Sequence, residues 1–129
     1  MAAPIFHMCR ADEWQAAQAL GRYDGSSQDR ADGFIHFSTG AQLPESAARH
    51  RRGQDGLLLL TVDGDACGDA LKWEPSRGGA LFPHLYGPLS LAAVLRVDPL
   101  PLGPDGLHHL PAHVVGEDMV GEDMAGGNA

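Results

Sequence analysis

The run Gly56–Asp63, GLLLLTVD, constrains this chain more than any other stretch. Four consecutive leucines followed by Thr61 and Val62 show neither the strict alternation of a strand with one wet face nor the three-to-four spacing of a surface helix. The run has strand length, so it predicts a central strand covered on both faces. A chain of 129 residues has room for one domain with one core, which should bury roughly two thirds of the unfolded surface.

The rest of the chain arranges itself around that strand. Pro4–Met8, PIFHM, reads as a first strand with His7 near its end. In ADEWQAAQALG, Trp14, Ala17 and Leu20 recur every three residues and Gly21 stops the run, which predicts a short helix. Asp12 and Glu13 fall in its first turn, where acids suit the helix dipole. RYDGSSQDRADG is polar and rich in Gly, Ser and Asp, and is expected to be a loop. FIHFST then reads as a short strand. Thr39 and Gln42 have capping-box spacing, so a helix follows, with Pro44 near its start and Gly53 as its C-cap.

After the leucine strand, GDACGDALKWEPSRGG reads as irregular. ALFPHLYG holds Pro83 and is expected to be an edge strand or a structured loop. Residues 91–98, LAAVLRVD, read as the last clear strand, and the Pro- and Gly-rich segment beyond it wraps the surface. The motif VGEDM occurs at 115–119 and again at 120–124, too short a repeat to build a core. This divides the chain into a single domain over 1–114 and a disordered acidic tail over 115–129. Strand and helix alternate at first and strands dominate later, with long connections, so the predicted class is α+β rather than a doubly wound sheet. No glycine-rich phosphate loop of either common pattern is present.

Charge narrows the function classes. The net charge is −8, and Glu117, Asp118, Glu122 and Asp123 belong to the tail, which leaves 9 − 13 = −4 for the body. Nucleic-acid binding needs a basic face for phosphate contacts, and the one basic cluster is Arg49, Arg51 and Arg52, so nucleic acid is not an expected partner. No window approaches the ~18 apolar residues of a membrane helix, and the first residues lack the pattern of a secretory signal. Cys9 and Cys67 have no metal-ligand or redox-motif spacing and are expected to be free thiols. A cytoplasmic protein is the resulting expectation.

Three histidines sit in strand-like, apolar surroundings: His7, His36 and His84. One such histidine alone is commonly a satisfied core residue. Three in one small domain, each needing a buried partner, point to a shared cleft. Ser38 lies two residues after His36 and so faces the same way in a strand; it is either a helix cap or a ligand hydroxyl. Arg77 precedes Gly78 and Gly79, a combination suited to close approach of a phosphate or carboxylate. Glu74 is either an acid–base group or the ion-pair partner of Arg77. His108, His109 and His113 superficially suit zinc, but Pro111 breaks any helix that would align them, so no metal is expected. There is no GxSxG elbow for a serine hydrolase.

The segments IFHMCRADEW, GFIHFSTGAQLPESAARH, LLLLTVD and LKWEPSRGGALFPHLYGPL closely resemble a small bacterial family, domain of unknown function 952, over roughly residues 4–98. That family brings no established activity. A remoter likeness joins IHFST, ARH and LLLLTVD to the H-L-S strand, helix and VVLEID strand of the NAD-dependent RNA 2′-phosphotransferases, and IFHM to their YHGT strand. This resemblance implies an ADP-ribosyltransferase-like fold: two small twisted β-sheets with short flanking helices, holding NAD between them. Carried across, it places His7 on the adenosine-side ribose, His36 and Ser38 by the nicotinamide ribose, and His84 and Tyr86 where the nucleophile is positioned. The implied function is an NAD-binding ADP-ribosyl transferase or glycohydrolase. His36 and His84 would be catalytic, and His7, Ser38, Arg77, Gly78 and Tyr86 would bind the cofactor. The alternative is a non-catalytic module that binds a nucleotide or small anion on the same fold. This chain departs from the pattern by reading HMC where the enzymes read HGT, and no third-strand Glu is evident.

Overall fold

The computed structural model describes residues 3–114, so the acidic-tail reading of 115–129 lies outside the described residues. The chain runs β1 (Ile5–Arg10), α1 (Ala11–Leu20), β2 (Arg22–Tyr23), α2 (Ser27–Asp32), β3 (Ile35–His36), α3 (Leu43–His50), β4 (Leu57–Val62), β5 (Leu71–Pro75), β6 (Leu81–Leu85), β7 (Leu89–Ser90) and β8 (Val94–Leu100). Short 3-10 turns cover Gly64–Ala70, Arg77–Gly79 and Leu91–Ala93.

The class is α+β. The strands pair antiparallel in three small sheets, ordered β1-β4-β8, β3-β6-β5 and β2-β7. The two three-stranded sheets are joined where the chain leaves β3. Phe6 and Ser38 exchange backbone hydrogen bonds of 2.8 and 2.9 Å, which docks β1 beside the extension of β3.

The leucine strand lies at the centre of its sheet, with β1 on one side and β8 on the other. Its alternate residues feed two cores. Leu60 and Val62 pack with Ile5, Trp14, Tyr23, Ile35, Phe37 and Leu85 on one face. Leu57 and Leu59 pack with Phe6, Met8, Leu43, Ala47, Leu100 and Val114 on the other. Leu59 and Leu60 are fully buried, each a transfer gain of about 1.5–3 kcal/mol. This double coverage is the physical reason the run has no polar alternation.

Several elements differ from the sequence expectation, and α3 ends at a C-cap on Arg51 rather than at Gly53. The polar stretch expected as a loop contains α2, started by a reciprocal capping box. The Ser26 hydroxyl accepts from the Asp29 N–H, and the Asp29 carboxylate accepts from the Ser26 N–H at 2.7 Å. Short polar helices of this kind escape apolar periodicity because they bury one or two side chains. The segment expected as irregular contains β5, whose Lys72 and Glu74 alternate with Leu71 and Trp73. Residues 91–93 form a turn, so the last strand starts at Val94 and runs on through Leu100. Most unexpectedly, β6 is not an edge strand: it lies between β3 and β5 with Pro83 inside it. The Pro83 carbonyl accepts the Phe37 N–H at 3.0 Å. In an antiparallel ladder the proline's missing donor falls on that same side, beyond the two residues of β3, so no bond of the β5–β6 pair is lost. The capping box of Thr39 and Gln42 is present in both directions, at 3.0 and 3.2 Å, and Pro44 occupies the first turn of α3.

Candidate functional site

The register of the sheets brings the three histidines together. His36 on β3 is directly opposite His84 on β6, and their ring centroids are 5.8 Å apart. The Phe6–Ser38 bridge carries β1, and with it His7, to the same place. The result is a cleft of about 600 Å³. Its walls include His7, Asp29, His36, Ser38, Arg51 and His84, with Phe6, Met8, Phe37 and Phe82 as apolar surface.

Asp29 organises one wall. It is buried, and its carboxylate accepts the backbone N–H of Ser26 at 2.7 Å and of His36 at 3.1 Å, together with His36 Nδ1 at 2.6 Å. Burial alone would raise its pKa. The donors around it outweigh burial, with the His36 ring leading and the two backbone N–H groups assisting, and hold it at about 2. Gly25 sits against this carboxylate: with φ +99°, an added Cβ there would lie 2.7 Å from Asp29 Cβ. His36 Nε2 meets Asp32 Oδ2 at 3.0 Å, so both ring nitrogens of this half-exposed imidazole face carboxylates.

His7 is buried and fully engaged. Its Nδ1 lies 2.6 Å from the His36 carbonyl, an acceptor, so Nδ1 carries the hydrogen. Its Nε2 then accepts from the Tyr23 hydroxyl at 2.6 Å. Burial lowers the His7 pKa, the nearby Asp29 carboxylate working in the opposite direction, and the ring is neutral in this arrangement. The Tyr23 phenol is pushed up, chiefly by burial, and burial likewise pushes the Cys9 thiol up to about 12. Both ring nitrogens of His7 are thus engaged within the protein, on the wall of the cleft.

His84 differs. Its Nδ1 lies 2.8 Å from Glu74 Oε1, which also accepts the Tyr86 hydroxyl at 2.8 Å. The hydrogen bonds from His84 and Tyr86 lower the Glu74 carboxyl. Among the described residues no hydrogen bond occupies His84 Nε2. Phe34 does not line the cleft; it packs against the histidine pair, its ring centroid 4.5 Å from His36, 4.3 Å from His84 and 5.2 Å from Tyr86. Ser38 is buried in the cleft wall and donates to Ser46 Oγ at 2.8 Å.

Of the residues singled out in the sequence, His7, His36, Ser38 and His84 reach the cleft. Tyr86 and Gly78 do not line it. Tyr86 is 45 % exposed and acts on Glu74 rather than on the cleft, while Gly78 serves a turn with φ +70° and has open space around it. The side chain of Arg77 lies outside the described residues, and Glu74 bonds His84 and Tyr86. Among the described residues no cluster of His, Cys, Asp or Glu could hold a metal, and no helix is long and apolar enough to cross a membrane. Sequence reasoning missed Asp29, Asp32, Tyr23, Phe34 and the place of Arg51. The S-x-x-D spacing of Ser26 and Asp29 was the one available signal for the first of these.

The family model described as "Protein of unknown function (DUF952)" matches residues 8–97. The X-ray crystal structure of protein CC0527 from Caulobacter crescentus is 49% identical, with a TM-score of 0.84 over 88% of this chain and 99% of that one. The solution NMR structure of CC0527 is 50% identical, with a TM-score of 0.75 over 85% of this chain and 95% of that one. No functionally curated protein matches the chain.

Proposed function

The chain belongs to the family of unknown function DUF952, and we propose that its cleft binds a nucleotide-class small molecule on an ADP-ribosyltransferase-like fold, with NAD as the first candidate. One observation carries this reading: β1, β3 and β6 converge so that His36, Ser38 and His84 share a single cleft of about 600 Å³, within the usual size range of small-molecule and cofactor sites. The apolar wall of Phe6, Met8, Phe37 and Phe82 suits an aromatic base, while Ser38 and the carboxylate of Asp32 suit sugar hydroxyls. The test is thermal unfolding with NAD, ADP-ribose or AMP at 100 times the dissociation constant, which should add about 2.7 kcal/mol, several degrees for this length. No shift with any of the three removes the reading.

A second reading adds turnover, and the Glu74–His84 pair favours it. Glu74 fixes the His84 ring with hydrogen on Nδ1, which leaves Nε2 as a base toward the cleft. In this reading a water attacks the ribose carbon of NAD and His84 takes its proton. The bond to nicotinamide breaks with its electron pair, releasing nicotinamide and ADP-ribose. The engagement of both His7 nitrogens weighs against this reading, because a ribose contact there would have to displace the His36 carbonyl or the Tyr23 hydroxyl. Nicotinamide release by wild type and its loss in His84→Gln would establish it; binding of NAD without release leaves the module non-catalytic.

A further inference from the structure

The structure assigns the phosphate-binding role of the cleft to Arg51, an inference that rests on the nucleotide reading and gives its ligand an orientation. Arg51 ends α3 and reaches back across the cleft wall. One terminal nitrogen donates to the Met8 carbonyl at 3.0 Å and the other to Gln54 Oε1 at 3.1 Å. Gln54 is itself held through its amide to the His50 carbonyl at 3.2 Å. Both acceptors of the guanidinium are neutral.

Among the described residues Arg30 and Arg52 also have no carboxylate ion pair, but neither lines the cleft, so Arg51 is the cleft's arginine without one. Arg10, Arg22, Arg49 and Arg96 each have a carboxylate partner. Among the described residues no carboxylate lies within 4.0 Å of the Arg51 guanidinium. A half-buried guanidinium fixed in orientation by neutral groups keeps its full charge for an incoming anion, and the fixed fork matches phosphate oxygens. Its field already reaches the interior, where it acts on His7 and Cys9. Glu13 shares the cleft rim, but its Oε1 accepts the Arg10 N–H at 2.8 Å.

The rest of the wall has the opposite polarity. Asp29 and Asp32 flank His36 and offer acceptors for hydroxyl donors. A ligand with phosphate at the Arg51 end and hydroxyls at the Asp32 end satisfies both, which is the chemistry of a nucleoside phosphate or a phosphorylated sugar. A sugar or nucleoside without phosphate leaves the guanidinium uncompensated.

The experiment uses the full chain and three probes: pyrophosphate, AMP and adenosine. The Nε–H resonance of Arg51 is followed by nitrogen-edited NMR during each titration, and dissociation constants are taken for wild type, Arg51→Gln and Arg51→Lys. Pyrophosphate and AMP should move the Arg51 resonance saturably. Arg51→Gln should weaken AMP by about tenfold or more, with adenosine unchanged, and Arg51→Lys should fall between. If Arg51→Gln fails to fold, the wild-type resonance and Arg51→Lys decide. Equal binding of the anions to wild type and Arg51→Gln overturns the assignment and leaves the nucleotide reading standing. Failure of both anions on wild type also overturns it, and failure of adenosine as well removes the nucleotide reading with it.

Discussion

Removing the Asp29 carboxylate should change both the stability of the fold and its response to acid. The carboxylate takes three N–H groups from residues 26 and 36 while almost wholly buried. In Asp29→Asn the amide oxygen can keep the two His36 donors, but its NH2 then faces the Ser26 N–H. The helix-start bond is lost, worth about 1 kcal/mol, and a buried donor is left unmatched, worth about 1–3 kcal/mol. The expected loss is about 2–4 kcal/mol at neutral pH. The acid response follows from the shift from 3.8 to about 2. A carboxylate depressed in the folded state contributes stability that is fully present above its unfolded pKa and is lost as pH falls through the folded value. At 1.36 kcal/mol per unit, Asp29 contributes about 2 kcal/mol that disappears between about pH 4 and pH 2. Urea unfolding of wild type and Asp29→Asn across this range measures it: the gap between the two should narrow by roughly 2 kcal/mol on acidification. A variant within 0.5 kcal/mol of wild type at pH 7 (about the scatter of surface substitutions), or a gap that stays constant from pH 5 to pH 2, refutes the hub assigned to Asp29.

Three further outcomes follow from the same network. Tyr23→Phe strips the donor from His7 Nε2 and should cost about 1–3 kcal/mol in chemical denaturation, since a buried acceptor is left unpaired. Because burial lowers His7, the unfolded chain binds its proton first. Its contribution is then present above about pH 6.5 and is lost as pH falls, at up to about 1.4 kcal/mol per unit; His7→Phe should flatten the stability profile between pH 6.5 and 5. Cys9 is fully buried with its thiol at about 12, whereas Cys67 is half-buried. Alkylation of the native protein read by mass spectrometry should therefore label Cys67 first.

The sequence made the core strand legible because GLLLLTVD has no polar face, and the structure gives each face its own core. The histidines could be singled out because an imidazole in an apolar strand needs a partner, but the partners could not be read. Asp29 lies in a polar stretch whose helix buries a single residue, and its contact with His7 spans 22 positions, a distance no local pattern encodes. The central placement of β6 was hidden by Pro83, whose cost depends on which side of the strand its missing donor faces. Arg51 looked like one of a basic cluster; its isolation from carboxylates emerges only when α3 closes against β1. Glu74 carried two readings, and the β5–β6 register turned it toward His84.

The central claim is that the space between His36, Ser38 and His84 is a ligand site. The most direct measurement is a titration of the labelled full chain with NAD and with AMP, following every assigned backbone amide. The account predicts saturable shifts concentrated at residues 36–38, 51 and 82–84, around one cleft. An unchanged spectrum at millimolar ligand, or shifts confined to the outer face at Trp73 and Leu81, would contradict it.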